Sequence, residues 1–252
     1  MAYRGGACSK SHSISIAFEE IGYYKDKFHY EYEVVDTIDI PSWYFQINPD
    51  GIVPTYRFNG YIIPDWRIIL ETAHEIAIDN TGFNQKIKLM PDGTPAKRAQ
   101  VRFIIKYYTS NIYPAWINYL QNFNDEYRQK YITALESGYS RLNDLLIEQA
   151  SSGPYFLGSK YTLADVVIAP IHARIELTNK AFVDGGLSIH AIKKSPRLRQ
   201  FLKGITSRRS FKKTYEGDTV FVEDVKSRYG LQPTKAYIEW TKNNNFPSCA
   251  TQ

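Results

Sequence analysis

Residues 48–63 read NPDGIVPTYRFNGYII, and this stretch decides the fold of the first third of the chain. Two apolar runs, Thr55–Phe58 and Tyr61–Ile63, flank the dipeptide Asn59-Gly60. Both central positions of a tight hairpin turn need φ > 0, which Asn and Gly tolerate better than other residues. The stretch therefore predicts two antiparallel strands joined by a two-residue turn.

A helix precedes the hairpin in the sequence. Four apolar residues recur at i, i+3, i+4 and i+7, the spacing of one helix face: Ile14, Ala17, Phe18 and Ile21. Gly22 follows them, and glycine is the preferred residue just past a helix end. The pattern predicts an amphipathic helix from about residue 11 to 21, so Cys8 lies just before a helix N-terminus.

Three further elements complete a small α/β unit. Aromatic and β-branched residues alternate with polar ones at Phe28, Tyr30, Tyr32 and Val34. This alternation is the period of a strand with one buried face. A short first strand is predicted at Ala2–Arg4, and a second helix from about Asp65 to Ile78. We therefore predict that residues 1–80 form one α/β domain.

The chain changes character after this unit. Residues 81–95 contain Gly, Asn and Pro and are predicted to form a linker. Beyond them the apolar residues recur at helical spacing, and Thr162 to Asp165 has the form of a capping box that starts a buried helix. We predict an all-α domain over residues 96–240, loosely packed from Glu216 onward, and a tail over residues 241–252.

Composition narrows the class of protein. Hydrophobic residues make up 43% of the chain and charged residues 23%, which is ordinary for a globular protein. No apolar run reaches the roughly 18 residues of a membrane helix, and Lys10 and Glu19 interrupt the region where a signal peptide is apolar. Two cysteines, Cys8 and Cys249, are too few for a disulfide framework. We expect a cytoplasmic protein with no membrane partner.

Charge is unevenly distributed along the chain. Residues 1–79 hold six Lys or Arg against twelve Asp or Glu, a net charge of −6, whereas the remainder holds 25 against 14, a net charge of +11. Nine basic residues and no acidic one lie between Lys193 and Lys213, a pattern that can bind phosphate-rich polymers. We favour a solvated helical face and no nucleic-acid partner, with three apolar residues pointing inward: Phe201, Leu202 and Ile205.

Three motifs resemble, in order and spacing, those of the cytosolic glutathione transferases. They are YRGGACS at residues 3–9, NPDGIVP at residues 48–54 and GSKYTLAD at residues 158–165. The Gly-Ala-Cys-Ser start is most similar to the bacterial beta class. WYF at residues 43–45 is similar to the omega class, which places a cysteine at the same point. The resemblance covers the chain up to about residue 213.

The resemblance implies a glutathione transferase fold, with a thioredoxin-like α/β N-terminal domain and an all-α C-terminal domain. It implies glutathione as co-substrate, with no metal, bound along a cis-proline loop at Ile52, Val53 and Pro54. An X-Pro bond is the one kind of peptide bond that is often cis, and here it can present the Val53 backbone to an extended peptide. An ordinary proline turn is the alternative.

Cys8 is the candidate nucleophile. Taken alone, a cysteine is more often a small buried hydrophobe. With Ser9 or Ser11 as N-cap, however, the Cys8 thiol lies at the positive end of a helix dipole, which favours the thiolate. Ser9 is a second candidate catalytic residue, because its hydroxyl can donate to the thiol of bound glutathione. His12 is interpreted as a solvated residue of the first helical turn.

Two positions depart from the family's pattern. The family has Glu-Ser where this chain has Asp65-Trp66. The Asp65 carboxylate can still accept from the γ-glutamyl ammonium, and Trp66 offers only its backbone N–H to the γ-glutamyl carboxylate. Arg67 is a further candidate donor, with a solvated helix charge as the alternative. Tyr113 stands where the beta class has a histidine, and a phenol can donate to a thiolate.

Aromatic residues around this position predict a pocket for the second substrate, formed by Tyr107, Tyr113 and Trp116. Packing within a helical core is the alternative account of the same residues, and of Phe103 and Tyr119 near them.

Together these residues predict a glutathione-dependent transferase. It either exchanges thiols through a mixed disulfide on Cys8 or conjugates glutathione to a small hydrophobic electrophile. A non-catalytic binding or scaffolding protein of the same fold is the alternative, favoured by Trp66 and Tyr113. The opposite charges of the two parts predict a homodimer in which the first domain of one subunit meets the second domain of the other.

Overall fold

A computed structural model describes residues 1–22, 31–79, 88–124 and 126–243. Its first unit contains a four-stranded sheet in the order β2-β1-β3-β4. The strands are β1 Ala2–Arg4, β2 Tyr32–Val34, β3 Thr55–Phe58 and β4 Tyr61–Ile63. β1 runs parallel to β2 and antiparallel to β3, and β3 is antiparallel to β4. The short first strand predicted from the sequence is confirmed.

The hairpin lies where the sequence predicts it. Phe58 is paired with Tyr61, and the two residues between them have positive φ, 48° at Asn59 and 87° at Gly60. Both values fit the tight turn that joins strands with a right-handed twist. The hairpin directly follows the proline loop in the chain. The next helix begins three residues after β4.

The buried face predicted for β2 is wrong over the residues that the structure describes. Tyr32 is 48% exposed and Val34 54%, whereas Val35 is buried with Tyr3 and Tyr44. All three residues of β2 are exposed, and β2 is an edge strand, so little burial is available to fix its register from sequence. Phe28 and Tyr30, the other half of the prediction, lie outside the described residues.

Two helices accompany the sheet, α1 at Ser9–Glu20 and α2 at Trp66–Asp79. Helix α1 begins two residues before the predicted start and is buried on nearly all sides rather than on one face. It packs against α2 and against helices of the second part, so even Ser13 and Ser15 are fully buried. Small serine side chains let the neighbouring backbones approach closely. Helix α1, which follows Cys8, therefore lies at an interface between the two parts of the chain.

From Pro95 onward the described chain is helical, apart from two isolated bridges between residues 155 and 160. The predicted all-α second part is thus confirmed over these residues. The limits of the linker stay a prediction, because residues 80–87 lie outside the described chain. The helices are α3 Pro95–Tyr107, α4 Tyr113–Gln121, α5 Arg128–Gln149, α6 Leu163–Phe182, α7 His190–Lys194, α8 Pro196–Ser207, α9 Arg209–Thr214, α10 Asp218–Tyr229 and α11 Lys235–Asn243.

A widened turn joins α3 to α4. Residues Tyr108–Ile112 form a π-helical turn, and Pro114 follows in the first turn of α4. Proline has no N–H to donate to Ser110 four residues earlier and its ring crowds that carbonyl, so the regular α ladder cannot continue through this point. Turns of this kind occur frequently at functional sites, and this one immediately precedes Tyr113.

The capping box at the start of α6 is confirmed. Oδ2 of Asp165 accepts from the Thr162 N–H at 2.6 Å and from Thr162 Oγ1 at 2.9 Å. Oδ1 accepts from the Phe156 N–H at 2.8 Å. Burial raises the pKa of Asp165 to about 7, against the opposing effect of these hydrogen bonds. The carboxyl group thus fixes both the helix start and the loop before it.

The loosely packed extension predicted from Glu216 onward is wrong over the described residues. Helices α10 and α11 pack on α6, and five apolar side chains of these helices and of the segment between them are buried: Phe221, Val222, Val225, Leu231 and Tyr237. Gly230 has φ 68° and ends α10 in the left-handed conformation that favours glycine. Residues 244–252, including Cys249, lie outside the described chain.

The basic stretch from Lys193 to Lys213 is only partly a solvated face. Its three apolar residues are buried as predicted: Phe201, Leu202 and Ile205. Arg197, however, is 5% exposed and donates to the carbonyls of residues 150, 153 and 155. Arg208 donates to both carboxylate oxygens of Glu20, so part of this charge holds α8 and α9 to the rest of the molecule. Among the described helices none has the length and apolarity to cross a membrane.

Candidate functional site

Cys8 caps the N-terminus of α1. Its backbone is extended, its N–H donates to the Gly5 carbonyl at 3.1 Å, and its carbonyl accepts from the His12 N–H at 3.1 Å. The thiol is free and half-buried. Gly5 lets the loop approach closely, because a Cβ there would lie 2.7 Å from the Thr37 Cγ2 atom. The chain thus holds Cys8 where free N–H groups of the first helical turn face it.

The serines predicted as N-caps have other roles. Ser9 is the first residue of α1, and Ser11 Oγ accepts from the Gly5 N–H at 3.2 Å. Cys8 itself occupies the N-cap, so that prediction is corrected. Ser9 still lines the same cavity as Cys8, and its proposed contact with a glutathione thiol stays a prediction.

The proline loop lies beside Cys8. The Val53–Pro54 bond is cis, as predicted. The Ile52 carbonyl accepts three internal hydrogen bonds, from Tyr44 at 2.7 Å, Asn48 at 2.9 Å and Thr55 at 3.0 Å. The hydrogen-bonding capacity of that carbonyl is therefore used within the loop, whereas the Ile52 side chain is exposed. Val53 lines the Cys8 cavity and remains the residue of this loop best placed to meet a ligand.

A cavity of about 280 Å³ opens next to the thiol, between the two parts of the chain. Of the predicted site residues, the structure places five in it: Cys8, Ser9, Val53, Tyr113 and Trp116. The sequence analysis missed the rest of its lining, formed by Ala7, Thr37, Ile117, Leu120, Arg174, Phe221, Asp224, Arg228 and Tyr229. A groove of about 430 Å³ elsewhere on the molecule is larger and more open, but it has no thiol in its lining.

Tyr113 faces Cys8 with a protonated phenol. Burial, and then the proximity of Cys8, raise the pKa of Tyr113 to about 12. Its ring meets Trp116 edge-on at 5.8 Å, and the Trp116 indole donates to Thr178 Oγ1 at 3.1 Å. At neutral pH this phenol can donate a hydrogen bond to a sulfur anion but cannot act as a base.

Tyr107 does not belong to this pocket, which corrects the prediction. Its hydroxyl donates to the Gly138 carbonyl at 3.1 Å, and the π turn after it carries α4 to a different orientation. Phe103 is 54% exposed and Tyr119 is buried beside Arg128, so these aromatics have other environments.

Asp65 and Trp66 lie apart from the Cys8 cavity. Asp65 Oδ1 caps α2 by accepting from the backbone N–H groups of Arg67 at 2.8 Å and Ile68 at 3.1 Å. Trp66 is 7% exposed and lines a second cavity of about 270 Å³ between α2, α3 and α6. The Arg67 guanidinium lies 5.2 Å from the Trp66 ring centre. Contacts of Asp65 and Trp66 with glutathione stay a prediction.

His12 is not the solvated residue that the sequence suggested. It is 5% exposed and packs against Phe211 in a tilted arrangement, with ring centres 5.0 Å apart. Burial, and then the charge of Arg174, lower the pKa of His12 well below its usual value. The prediction missed this because the partners of His12 come from α6 and α9, more than 150 residues away. In the part of the chain that is described, no group of His, Cys, Asp and Glu side chains is arranged to hold a metal ion.

Comparison with known proteins agrees with this geometry. Residues 100–214 match the family model for the glutathione S-transferase C-terminal domain. Glutathione S-transferase DHAR2 of Arabidopsis thaliana is 24% identical over 211 residues, which cover 83% of this chain and 84% of that protein. Chloroplastic glutathione S-transferase DHAR3 of the same plant is 25% identical over 190 residues; the match spans 73% of this chain but only 62% of that protein.

The solved structures include similar folds. Glutathione transferase Omega 2C of Trametes versicolor superposes with a TM-score of 0.70 at 24% identity, over 91% of this chain and 97% of that one. The chain thus has the thioredoxin-like, two-part fold of that structure, with a cysteine at the N-terminus of its first helix. Residues 100–214 belong to the family of the glutathione S-transferase C-terminal domain, and the whole chain is similar to cytosolic glutathione transferases, with omega-class proteins among its relatives.

Proposed function

We propose that this chain is a glutathione-dependent transferase that exchanges thiols through Cys8. The single observation that carries the proposal is the place of the Cys8 thiol, free at the N-terminus of α1 and open to a cavity. A thiol there is favoured as thiolate, and the thiolate is the form that attacks a disulfide. The named relatives, which are glutathione S-transferases, support the same choice.

The exchange consists of two displacements. The Cys8 thiolate attacks the glutathione sulfur of a mixed disulfide R–S–S–G, so that a bond forms between the Cys8 sulfur and the glutathione sulfur. The S–S bond of the substrate breaks, and R–S⁻ leaves to be protonated. A second glutathione thiolate attacks the glutathione sulfur of Cys8–S–S–G, which releases oxidised glutathione and the Cys8 thiolate. Tyr113 can donate to the departing sulfur anion, because its phenol stays protonated.

Glutathione itself is proposed to lie along the loop at Val53, with Asp65 at the γ-glutamyl end. Val53 lines the Cys8 cavity, and the loop before it is held by Tyr44, Asn48 and Thr55, so the binding edge is rigid. A rigid edge favours pairing with an extended peptide, since less conformational freedom is lost on binding. The second substrate would meet Trp116 and Phe221.

Conjugation to an electrophile is the second candidate. It is favoured by Ser9 and Tyr113, two hydroxyl groups that line the cavity and can donate to a glutathione thiolate without any step on Cys8. The cytoplasmic location expected from the sequence also stays a prediction: a rice relative, 25% identical, is described as cytosolic, but other relatives are chloroplastic.

Replacement of Cys8 by serine separates these functions. We expect Cys8→Ser to abolish exchange between glutathione and 2-hydroxyethyl disulfide and to prevent a glutathione adduct in the mass spectrum. The matched control, Cys249→Ser, should retain both. Conjugation of 1-chloro-2,4-dinitrobenzene that survives in Cys8→Ser, with no exchange in the unmodified protein, would establish the second candidate instead. Failure to be retained on immobilised glutathione would point to a scaffold.

A further inference from the structure

Arg174, in the middle of α6, is a buried cation that ties the second part of the chain to the loop before Cys8. Its side chain is 4% exposed. Nε donates to the Ala7 carbonyl at 2.6 Å, and Nη1 donates to the Pro170 carbonyl at 3.0 Å. Ala7 is the residue directly before Cys8, so one guanidinium connects α6 to the peptide that carries the thiol.

The charge of Arg174 has no carboxylate of its own. Within the described chain, the carboxylates that act on its charge are Glu216 and Asp224, and each pairs with another arginine, Arg4 and Arg228 respectively. The hydrogen-bond partners of Arg174 are carbonyl oxygens and the imidazole of His12. A buried charge without a counter-charge is costly, so this site favours an anion nearby.

The tautomer of His12 follows from the same contacts. An arginine only donates, so His12 Nδ1, 3.4 Å from Arg174 Nη1, is the acceptor. Nε2 therefore carries the proton and donates to Thr214 Oγ1 at 3.0 Å. His12 is neutral, and the cation that acts on the Cys8 loop from this side is Arg174.

We propose that Arg174 is the positioning residue for Cys8 in the proposed function: its bond to Ala7 fixes the thiol at the helix N-terminus, and its buried charge stabilises the thiolate. Cys8 and Arg174 line the same cavity, and a Cys8 thiolate is the counter-charge that the guanidinium otherwise lacks. Other ionisable groups also face this region, and none of them is changed in the test below. They are Arg4 from β1, Lys10 and His12 from α1, Tyr44 from the segment before β3, Tyr113 from α4, Tyr215 and Glu216 after α9, and Asp224, Arg228 and Tyr229 from α10.

The test measures alkylation of Cys8 by iodoacetamide as a function of pH, without glutathione and with Cys249→Ser in every variant. Arg174→Gln keeps a donor but removes the charge, and Arg174→Lys keeps the charge but has no planar fork for two carbonyls. We expect the pH of half-maximal alkylation to rise by about one unit or more in Arg174→Gln. It should stay near that of the parent protein in Arg174→Lys.

Arg197 supplies the matched control. It is also a buried arginine that donates to backbone carbonyls, but it contacts residues 150–156, away from the Cys8 cavity. Arg197→Gln should lower the melting temperature without moving the alkylation midpoint. An unchanged midpoint in folded Arg174→Gln, or an equal shift in Arg197→Gln, would overturn the proposal.

A second measurement covers the case in which Arg174→Gln does not fold. Arg174→Lys should then show a several-fold lower kcat for thiol exchange with an unchanged alkylation midpoint, because the loop is less well fixed. A Lys variant with the kcat of the parent protein would contradict the positioning role. If the parent protein shows no exchange but the midpoint shifts, the proposed function fails and the role of Arg174 stands.

Discussion

Arg228 of α10 donates a hydrogen bond of 2.9 Å to Oγ1 of Thr37, in the loop after β2, and both residues line the Cys8 cavity. Arg228 is also held by Asp224 on its own helix at 3.1 Å. Helix α10, in the second part of the chain, is thereby hydrogen-bonded to the first part beside the Cys8 thiol. Phe221 and Tyr229, on the same helix, form part of the wall that a second substrate would meet.

Loss of this hydrogen bond should weaken substrate binding more than folding. We expect Thr37→Val to raise KM for a disulfide substrate about two- to fivefold, because one hydrogen bond contributes on the order of 1 kcal/mol. The free energy of unfolding should change by less than about 1 kcal/mol, since the bond is exposed. Steady-state kinetics and urea unfolding are the measurements. Thr37→Ser keeps the hydroxyl and should behave like the parent; equal KM values in all three proteins would contradict the role of this contact.

The buried imidazole of His12 predicts a pH-dependent stability. The pKa of His12 is lowered on folding, so below about pH 6.5 the unfolded chain binds a proton that the folded chain does not. The contribution of His12 to the free energy of unfolding is therefore fully present above that pH. It is lost as the pH falls, by at most about 1.4 kcal/mol per pH unit.

His12→Gln should remove that part of the pH dependence. Urea unfolding between pH 7 and pH 5 should give a shallower decline for His12→Gln than for the parent protein, although the variant starts less stable. His190→Gln, at an exposed position, is the matched control and should keep the parent slope. Comparing slopes cancels the contribution of Asp165, whose raised pKa acts in the opposite direction. Parallel curves for His12→Gln and the parent would show that His12 does not titrate as described.

Much of the fold could be predicted from local sequence, and the site only in part. The Asn59-Gly60 turn, the cis-proline loop and the capping box at Thr162 each depend on neighbouring residues, and each was predicted correctly. The polar cluster under the proline loop could also have been found, because Tyr44 and Asn48 lie within the motifs used for the resemblance. The face of β2 could not, since an edge strand has one neighbour and little burial to fix it.

The rest of the site depends on contacts between distant parts of the chain. Arg174 is one of four charged residues in α6, and only the docking of α6 on the Cys8 loop gives it a partner 167 residues away. Helix α10 has weak apolar periodicity in sequence, yet it forms one wall of the cavity. Such residues carry no local signal, so sequence patterns alone leave the second-substrate side of the site undefined.

Tyr113→Phe tests the phenol as a hydrogen-bond donor. It keeps the ring that packs on Trp116 and removes only the hydroxyl. We expect kcat for thiol exchange to fall by about five- to tenfold, the effect of one hydrogen bond to a charged group, with KM almost unchanged. With a pKa of about 12, the phenol should cause no inflection in the parent pH profile below pH 10. Tyr107→Phe, outside the cavity, is the control; an equal loss there would mean that the effect is structural.

The surface of α2 and α3 is the one on which we expect the homodimer to form. Three large apolar side chains on these helices are about half exposed: Ile68, Ile78 and Phe103. Residues 1–79 carry a net charge of −6 and the remainder +11, so an arrangement that places the first part of one subunit against the second part of the other brings opposite charges together. Apolar contacts would hold such a pair, and the charges would mainly speed and orient its association.

Phe103→Asp should therefore convert a dimer into a monomer, because it places a charge in the apolar centre of the expected interface. Ile147→Asp is the matched control: Ile147 is 52% exposed on another helix, α5, and this variant should remain dimeric. Sedimentation at micromolar concentration measures the mass of each.

The parent should associate more slowly as salt rises, since the screening length falls to about 3 Å at 1 M. A monomeric parent protein in low salt would contradict the dimer, whereas a dimeric Phe103→Asp would place its interface on another face. An association rate indifferent to salt would leave the apolar contacts as the sole source of the pairing.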